Sequence, residues 1–183
     1  MAVTADEFRE NLAQAATTEP FEAIFQEQWP RVYGVLFRLV GDRAEAEDLA
    51  LEAFWRLYRR APRQGDNLPA WLYRVATNLG LNALRARQRR MNYEEQAGRL
   101  ALENDSPADP SVEVERDEQR RLVQAALAEI KPQYARLLAL RHSGLSYAEL
   151  VSVLDVAPGS IGTLLARAEA EFEKRYRRLE GGE

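Results

Sequence analysis

Apolar residues recur at helical spacing through most of this chain, and that periodicity predicts an all-α protein. The first stripe, over residues 21–40, places apolar side chains three or four positions apart, as one face of a helix requires. Comparable stripes run through 43–60, 69–92 and 113–180. Pro30 lies inside the first stripe and leaves open whether that helix is kinked or interrupted. The aromatic residues of this stripe are predicted to be core rather than a cofactor site.

An acidic segment separates the helical stripes into two groups. Residues 93–118 carry nine acidic residues against Arg99 and Arg116, a net charge of −7. The run NDSPADPS at 104–111 is rich in residues that resist regular structure. We therefore predict a partly flexible linker between two small domains. The predicted boundaries are an N-terminal extension at 1–19, a first domain at 20–92, the linker at 93–112 and a second domain at 113–183.

Composition excludes several classes of chemistry. The chain has no cysteine and a single histidine, His142, so neither a metal site nor a histidine-based catalyst is expected. No nucleophile with a base and an orienting group is visible, and we expect neither catalytic residues nor a cofactor. No apolar run reaches the length of a membrane span, and the N-terminus lacks signal-peptide features. These observations predict a cytoplasmic protein without membrane insertion that is not an enzyme.

Residues 69–92 are the best candidate for contact with nucleic acid. The segment contains no Asp or Glu and has a formal charge of +5 in a chain whose net charge is −4. Pro69 suits the first turn of a helix, where its missing N–H is not needed. A helix with an apolar face and a cationic C-terminal half is typical of nucleic-acid binding. The alternative is a solvated helix whose arginines favour its C-terminus through the macrodipole, and charge alone leaves both readings open.

Residues 146–180 have the pattern of a helix-turn-helix. Ser146 and Glu149 have the spacing of a capping box. The run 155–157 predicts a tight turn, and Pro158 is predicted to begin a longer helix. Most small helical bundles do not bind DNA, so this pattern also leaves a purely structural role open.

Three runs in order resemble an extracytoplasmic-function (ECF) sigma factor: GDRAEAEDLALEAFWRLYRR, PAWLYRVATNLGLNALRARQRR and LSYAELVSVLDVAPGSIGTLLARAEAEF. The resemblance covers roughly residues 21–176. It implies a sigma region 2 helical bundle and a sigma region 4 helix-turn-helix bundle, joined by the acidic linker. It also implies a subunit that binds core RNA polymerase, directs it to promoter DNA and assists melting of the minus-ten element. An anti-sigma factor is implied as a further partner.

The resemblance implies three sets of site residues. Contact with core polymerase is implied for residues of the second helix: Asp48, Leu49, Glu52 and Phe54. The loop at 63–68 and the basic helix after it are implied to hold the minus-ten DNA through Asn67, Tyr73, Arg74, Asn78, Asn82, Arg85, Arg87, Arg89 and Arg90. The helix-turn-helix is implied to contact duplex DNA through Ser160, Thr163 and Arg167.

The chain departs from the family's usual pattern in two places. Leu51 stands where the family usually has Gln. The recognition helix carries no charge from Ala157 to Ala166, because Gly162 and Leu164 occupy the usual Lys and Arg positions. A helix in the major groove needs donors for base edges and cations for phosphates. The alternative function is therefore a sigma-like regulatory or interaction protein whose C-terminal domain reads duplex DNA weakly.

Overall fold

The structure, a computed structural model, describes residues 21–59, 67–98 and 112–181, with side chains for 21–59, 67–94 and 118–181. These ranges form seven α-helices and one 3-10 turn: α1 (Phe21–Val40), α2 (Arg43–Arg59), α3 (Leu68–Gly98), α4 (Val112–Glu129), α5 (Pro132–His142), α6 (Tyr147–Leu154), the turn Pro158–Ser160 and α7 (Ile161–Glu180). No strand occurs in these ranges, and the all-α prediction is confirmed. The predicted N-terminal extension, most of the acidic linker and the loop at 63–66 lie outside the described residues.

Helices α1, α2 and α3 form the first domain around one apolar core. Leu36, Leu39, Phe54 and Leu72 are each at most 2% exposed. The ring of Phe25 lies 4.8 Å from the ring of Phe54 (centroid to centroid), in the tilted geometry common in protein cores. The aromatic residues of α1 are half-buried and pack against this core. Helix α1 continues through Pro30 without a break, and α3 continues past Asn92 to Gly98.

A two-residue turn joins α1 to α2. Gly41 has φ +74°, a conformation that glycine adopts without strain, and its N–H donates to the carbonyl of Phe37 at 2.8 Å. The Asp42 carboxylate accepts from the N–H of Glu45 at 2.8 Å and caps the start of α2. The dipeptide Gly-Asp thus ends one helix and begins the next.

Helices α4 to α7 form the second domain. Leu137, Leu140, Leu150 and Ile161 are at most 3% exposed and form its centre. The predicted capping box is present at the start of α6, where Ser146 and Glu149 exchange hydrogen bonds. The prediction that Pro158 begins the last helix holds in modified form, since a 3-10 turn at Pro158–Ser160 precedes α7.

The two domains pack against each other. Helix α3 contacts α4, α5 and α6, and α1 contacts α5. The packing leaves an apolar cleft of about 390 Å³ between the domains, lined chiefly by Leu39, Val123, Leu127, Leu138 and Phe172. The interface between the domains is therefore incompletely filled.

Among the described helices, none by itself combines the length and apolarity that a membrane span requires. Helix α6 and the segment Pro158–Glu180 meet those criteria only as a pair, bent by 110°. Leu150, Val153, Ile161 and Leu165 of that pair are buried in the core of the second domain.

Candidate nucleic-acid and polymerase interfaces

Helix α3 begins at a side-chain cap and divides into a buried and an exposed face. The Asn67 carboxamide oxygen accepts from the N–H of Ala70 at 3.0 Å, as an N-cap does. Leu72, Ala76 and Leu81 are buried against the first domain. Five of the predicted DNA-binding residues lie exposed along the remaining surface of the helix: Asn78, Asn82, Arg87, Arg89 and Arg90. Three of the five arginines of this helix therefore face solvent.

The second domain holds Arg74 and Arg85 of α3. Arg74 donates from Nε to the carbonyl of Val153 at 3.0 Å and from Nη2 to that of Ser152 at 3.3 Å, in the last turn of α6. Arg85 donates from Nε to the carbonyl of Ala128 at 3.3 Å, at the C-terminal end of α4. The last carbonyls of a helix lack intrahelical partners and carry partial negative charge. Both arginines therefore bind helix ends of the second domain.

The second domain also contacts Asn78 of α3 and Arg31 of α1. Arg136 of α5 donates a hydrogen bond to the carboxamide oxygen of Asn78. Arg31 of α1 forms an ion pair with Glu149 of α6 at 3.1 Å. Three of the predicted DNA-binding residues, Arg74, Asn78 and Arg85, are therefore engaged by the second domain in this arrangement.

Tyr73 corrects one expectation about the minus-ten site. Its side chain is 2% exposed, so it is not available to a DNA strand in this arrangement. Its hydroxyl is buried without a hydrogen-bond partner among the described residues. Burial raises the pKa of this hydroxyl, and the charges of Arg31 and Glu149 lie close enough to contribute.

Arg136 is a functional candidate that the sequence analysis missed. Burial lowers the pKa of its guanidinium, and the nearby Arg74 and Arg85 lower it further. Three guanidinium groups thus meet where the domains pack, although like charges repel. No sequence signal marked Arg136, because its partners come from another helix that is distant in sequence.

The exposed face of α2 differs in part from the predicted polymerase-binding set. Asp48 is exposed, Leu49 is half-buried, and Glu52 pairs with Arg56 at 2.8 Å. Phe54 is 2% exposed and packs mainly in the core, although it also lines the hollow described next, and its contact with polymerase stays a prediction. Two further side chains, which the prediction omitted, lie on the same face of the helix as Asp48 and Glu52.

Leu51 and Trp55 are those two side chains, 48% and 53% exposed. They line an apolar hollow of about 620 Å³, and its other lining residues are Phe21, Phe25, Phe54, Tyr58, Asp48 and Glu52. Large apolar side chains rarely stay exposed together without a partner. Residues 48, 51, 52 and 55 are spaced as one face of a helix, so the sequence alone could have identified Trp55 as part of this surface.

The helix-turn-helix has its turn at Asp155, which adopts a left-handed conformation with φ 55°. Ser160 is half-buried and its hydroxyl donates to the carbonyl of Ala157 at 2.7 Å, while Thr163 and Arg167 are exposed. Further along α7, the guanidinium groups of Arg175 and Arg178 lie 3.6 Å and 2.5 Å from the carboxylate of Glu129. The start of the recognition helix therefore offers polar groups and one cation to a duplex.

Within the described residues, no cluster of three or more His, Asp or Glu side chains has the arrangement of a metal site.

Comparisons with family models and with individual proteins agree on one family. The sigma-70 region 2 family matches residues 24–90, and the sigma-70 region 4 family matches residues 120–172. The ECF RNA polymerase sigma factor SigE of Mycolicibacterium smegmatis is 30% identical over 162 residues, which cover 86% of this chain and 62% of SigE. The RNA polymerase sigma-H factor of Pseudomonas aeruginosa is 29% identical over 175 residues, which cover 91% of each chain.

A similar solved structure is that of the sigma factor RpoE in complex with the anti-sigma factor NepR from Bartonella quintana. It is 19% identical, covers 86% of this chain and 96% of its own, and has a TM-score of 0.49.

The two regions follow one another in the order that defines a sigma-70-type sigma subunit, a class of non-enzymatic transcription initiation factors. Within that class, the chain belongs to the ECF sigma factors.

Proposed function

We propose that this protein is a promoter-specificity subunit of RNA polymerase. It binds core polymerase in the cytoplasm, directs it to promoter DNA and assists melting of the minus-ten element. The observation that carries the proposal is α3, whose exposed surface combines Asn78 and Asn82 with three arginines. Amide groups can read base edges and guanidinium groups bind phosphates, the two contacts that capture of a single strand requires.

Helix α2 supplies the proposed contact with core polymerase. Asp48 and Glu52 provide negative charge, and Leu51 and Trp55 provide exposed apolar surface on the same face. A partner helix with arginines beside apolar residues would complement this face in both charge and hydrophobicity. An exposed tryptophan at the centre of such a contact is the kind of residue that dominates binding energy.

Promoter binding requires the two domains to separate. Arg74, Asn78 and Arg85 bind the second domain in this arrangement, and a DNA strand needs the same groups. Core polymerase favours separation if it binds the open arrangement more tightly, because a ligand shifts an equilibrium by its differential affinity. An anti-sigma factor, which the resemblance implies, would act in the opposite direction by binding the packed arrangement.

The test is transcription by core polymerase on genomic DNA, with the 5′ ends of transcripts sequenced with and without this protein. We expect new 5′ ends that share a minus-ten element. Reversal of the exposed pair Arg89→Glu and Arg90→Glu should abolish them while retaining core binding. Trp55→Ala is the matched variant that should lose core binding. An unchanged set of 5′ ends with the native chain would refute the proposal.

A second candidate is a sigma-like regulatory or interaction protein. Its support is the start of α7, where Gly162 occupies open space and Arg167 is the first cation of the helix. Binding of the full chain with core polymerase to duplex promoter DNA, across a salt series, separates the two. A phosphate contact at Arg167 would make Arg167→Gln reduce the salt slope by about one unit. An unchanged slope together with no new transcripts would favour the second candidate.

A further inference from the structure

Tyr93 is the most exposed of the large hydrophobic side chains that the structure describes, with 73% of its surface open to solvent. Helix α3 continues past this residue to Gly98, so the ring is carried by a regular helix. Among the described residues, none forms a hydrogen bond or a ring contact with Tyr93. Single exposed aromatic residues are common on protein surfaces, so the position of Tyr93 on the helix decides whether it has a role.

Tyr93 continues the stripe of exposed residues that faces away from the first domain. Four residues lie on this face, spaced by four, seven and four positions: Asn78, Asn82, Arg89 and Tyr93. Residues at these spacings lie above one another on an α-helix. Because the helix rises about 1.5 Å per residue, the stripe is about 22 Å long, which gives room for several nucleotides of a single strand.

The surroundings of Tyr93 on the helix are cationic. Arg89 and Arg90 precede it by four and three residues, so both side chains are its neighbours on the helix surface. Both arginines are exposed, and among the described residues neither has a hydrogen-bond or ion-pair partner. The carboxylate of Glu94 projects about 100° away from Tyr93 around the helix axis. The ring therefore lies at the edge of a cationic patch that complements a polyanion.

This end of α3 also stays accessible while the two domains are packed together. Arg74, Asn78 and Arg85 bind groups of the second domain. Within the part of the chain that the structure describes, Arg89 and Tyr93 form no such bond. A DNA strand can therefore reach the ring of Tyr93 before the domains separate.

We propose that Tyr93 stacks on an unpaired DNA base while Arg89 and Arg90 bind the adjacent phosphates. Aromatic rings stack on bases of any sequence, and cations beside them follow the backbone of the strand. The proposal rests on the proposed function and adds to it a contact outside the predicted set of minus-ten residues. It makes the C-terminal end of α3 the first part of this surface that a strand meets.

Photocrosslinking of the full chain to single-stranded DNA tests the contact without polymerase. The probe is a short strand of random sequence in which 5-iodouracil replaces thymine, because this base crosslinks under ultraviolet light to an aromatic ring stacked on it. We expect mass spectrometry to locate the crosslink at residue 93 in the native chain and in Tyr93→Phe, which keeps the ring. Tyr93→Ala should give no crosslink there, and alanine favours the helix, so the loss does not come from unfolding of α3.

Fluorescence anisotropy with the same strand, containing thymine, measures the contribution of the ring to affinity. Tyr93→Ala should bind the strand at least fivefold more weakly than the native chain, as expected for the loss of one stacked base. Tyr93→Phe should bind like the native chain. Met91→Ala is the matched control, since Met91 is 38% exposed on the same helix and projects from the side opposite Tyr93. This variant should also bind like the native chain.

The proposal is overturned if residue 93 gives no crosslink in the native chain, or if Tyr93→Ala and Met91→Ala bind the strand equally. It is also overturned if Tyr93→Ala weakens binding to core polymerase but not to the strand, since the ring would then belong to a protein interface. The proposed function is tested separately, by the 5′ ends of transcripts. New 5′ ends without a crosslink at Tyr93 would therefore reject the stacking contact alone.

Discussion

At the scale of single residues, Arg74 and Arg85 each have two possible acceptors of similar chemistry. In this structure they bind carbonyl oxygens at the C-terminal ends of α6 and α4. These oxygens carry partial negative charge, and DNA would offer phosphate oxygens to the same groups. A hydrogen bond involving a charged group contributes about 1.5–3 kcal/mol when well formed. A modest difference in free energy can therefore decide whether each arginine binds a carbonyl of the second domain or a phosphate of DNA.

Substitution of two helical glycines by alanine should change the free energy of unfolding in opposite directions. A Cβ at Gly80 would lie 2.8 Å from Leu39 Cδ1 and 3.1 Å from Leu36 Cδ2, where α3 crosses α1, while at Gly162 nothing lies within 4 Å. Overpacking should make Gly80→Ala lower the free energy of unfolding by about 1–3 kcal/mol. Better helix propensity should make Gly162→Ala raise it by up to about 1 kcal/mol. Urea denaturation measures both, and shifts of the same sign would contradict the packing described.

At the scale of elements, two neighbouring residues of α2 lie in different environments. Phe54 faces the core and Trp55 faces solvent, at 2% and 53% exposed. The helix therefore exposes a large aromatic side chain on one side, where we propose a contact with core polymerase, while its other side packs in the first domain.

Substitution of these two neighbours should separate stability from binding. Phe54→Ala removes a buried ring and should lower the free energy of unfolding by about 3–5 kcal/mol. Trp55→Ala should leave stability within about 0.5 kcal/mol and weaken core polymerase binding at least tenfold. Thermal unfolding and a polymerase pull-down titration measure the two effects. Equal loss of stability in both variants would show that Trp55 is structural.

The capping box of α6 should give the chain a dependence on acid pH. Hydrogen bonds from the Ser146 N–H and hydroxyl, and then the Arg31 guanidinium, hold the pKa of the Glu149 carboxyl below its usual range. A lowered pKa means that stability from this group is present above the pKa of the unfolded chain, and is lost as pH falls through the lowered value. The Glu149 side chain is 38% exposed, so solvent screening limits the effect to less than about 1 kcal/mol.

The check is the melting temperature of the native chain and of Glu149→Gln between pH 7 and pH 3. Glutamine can still serve in a capping box, so the variant removes the charge and keeps the cap. The native chain should be the more stable at pH 7, and the difference should disappear at the acid end. If the difference in melting temperature stayed constant with pH, it would come from the geometry of the cap and not from the charge of Glu149.

Much of the helical architecture follows from local sequence patterns. The apolar stripes mark the helices, Gly41-Asp42 marks a turn, and Ser146 with Glu149 marks a cap, because each depends on residues within a few positions of one another. The family resemblance and the two matched sigma regions agree with the helix order. The extension of α3 beyond Asn92 was not predicted, because the change in charge there was read as the end of the helix.

The candidate sites were only partly predictable, for a physical reason. The partners of Arg74 and Arg85 are backbone carbonyls, which have no sequence signature. Arg136 contacts Asn78 of α3 only because the fold brings together two helices that are distant in sequence. The resemblance assigned Phe54 by position, and position in the sequence does not show that its side chain is 2% exposed while that of Trp55 is 53% exposed.

At the scale of the whole molecule, an ion pair and several hydrogen bonds join the two domains, and the hydrogen bonds come from Arg74, Arg85 and Arg136. Arg31 and Glu149 attract each other at 3.1 Å, while Arg74, Arg85 and Arg136 bring like charges together. An apolar cleft of about 390 Å³ between the domains remains unfilled. The central claim is that the resting chain covers part of its DNA-binding surface and exposes it when the domains separate.

A pulsed electron-spin distance measurement tests this claim most directly. The chain has no cysteine, so Gln26→Cys on α1 and Ala170→Cys on α7, both exposed, would carry the only spin labels. We expect one narrow distance distribution in the free chain and a longer, distinct one with core polymerase. Arg31→Glu, which replaces the attraction to Glu149 with repulsion, should shift the free chain towards the longer distance and strengthen binding to a minus-ten single strand. The same distribution in the free and polymerase-bound chain would contradict the claim.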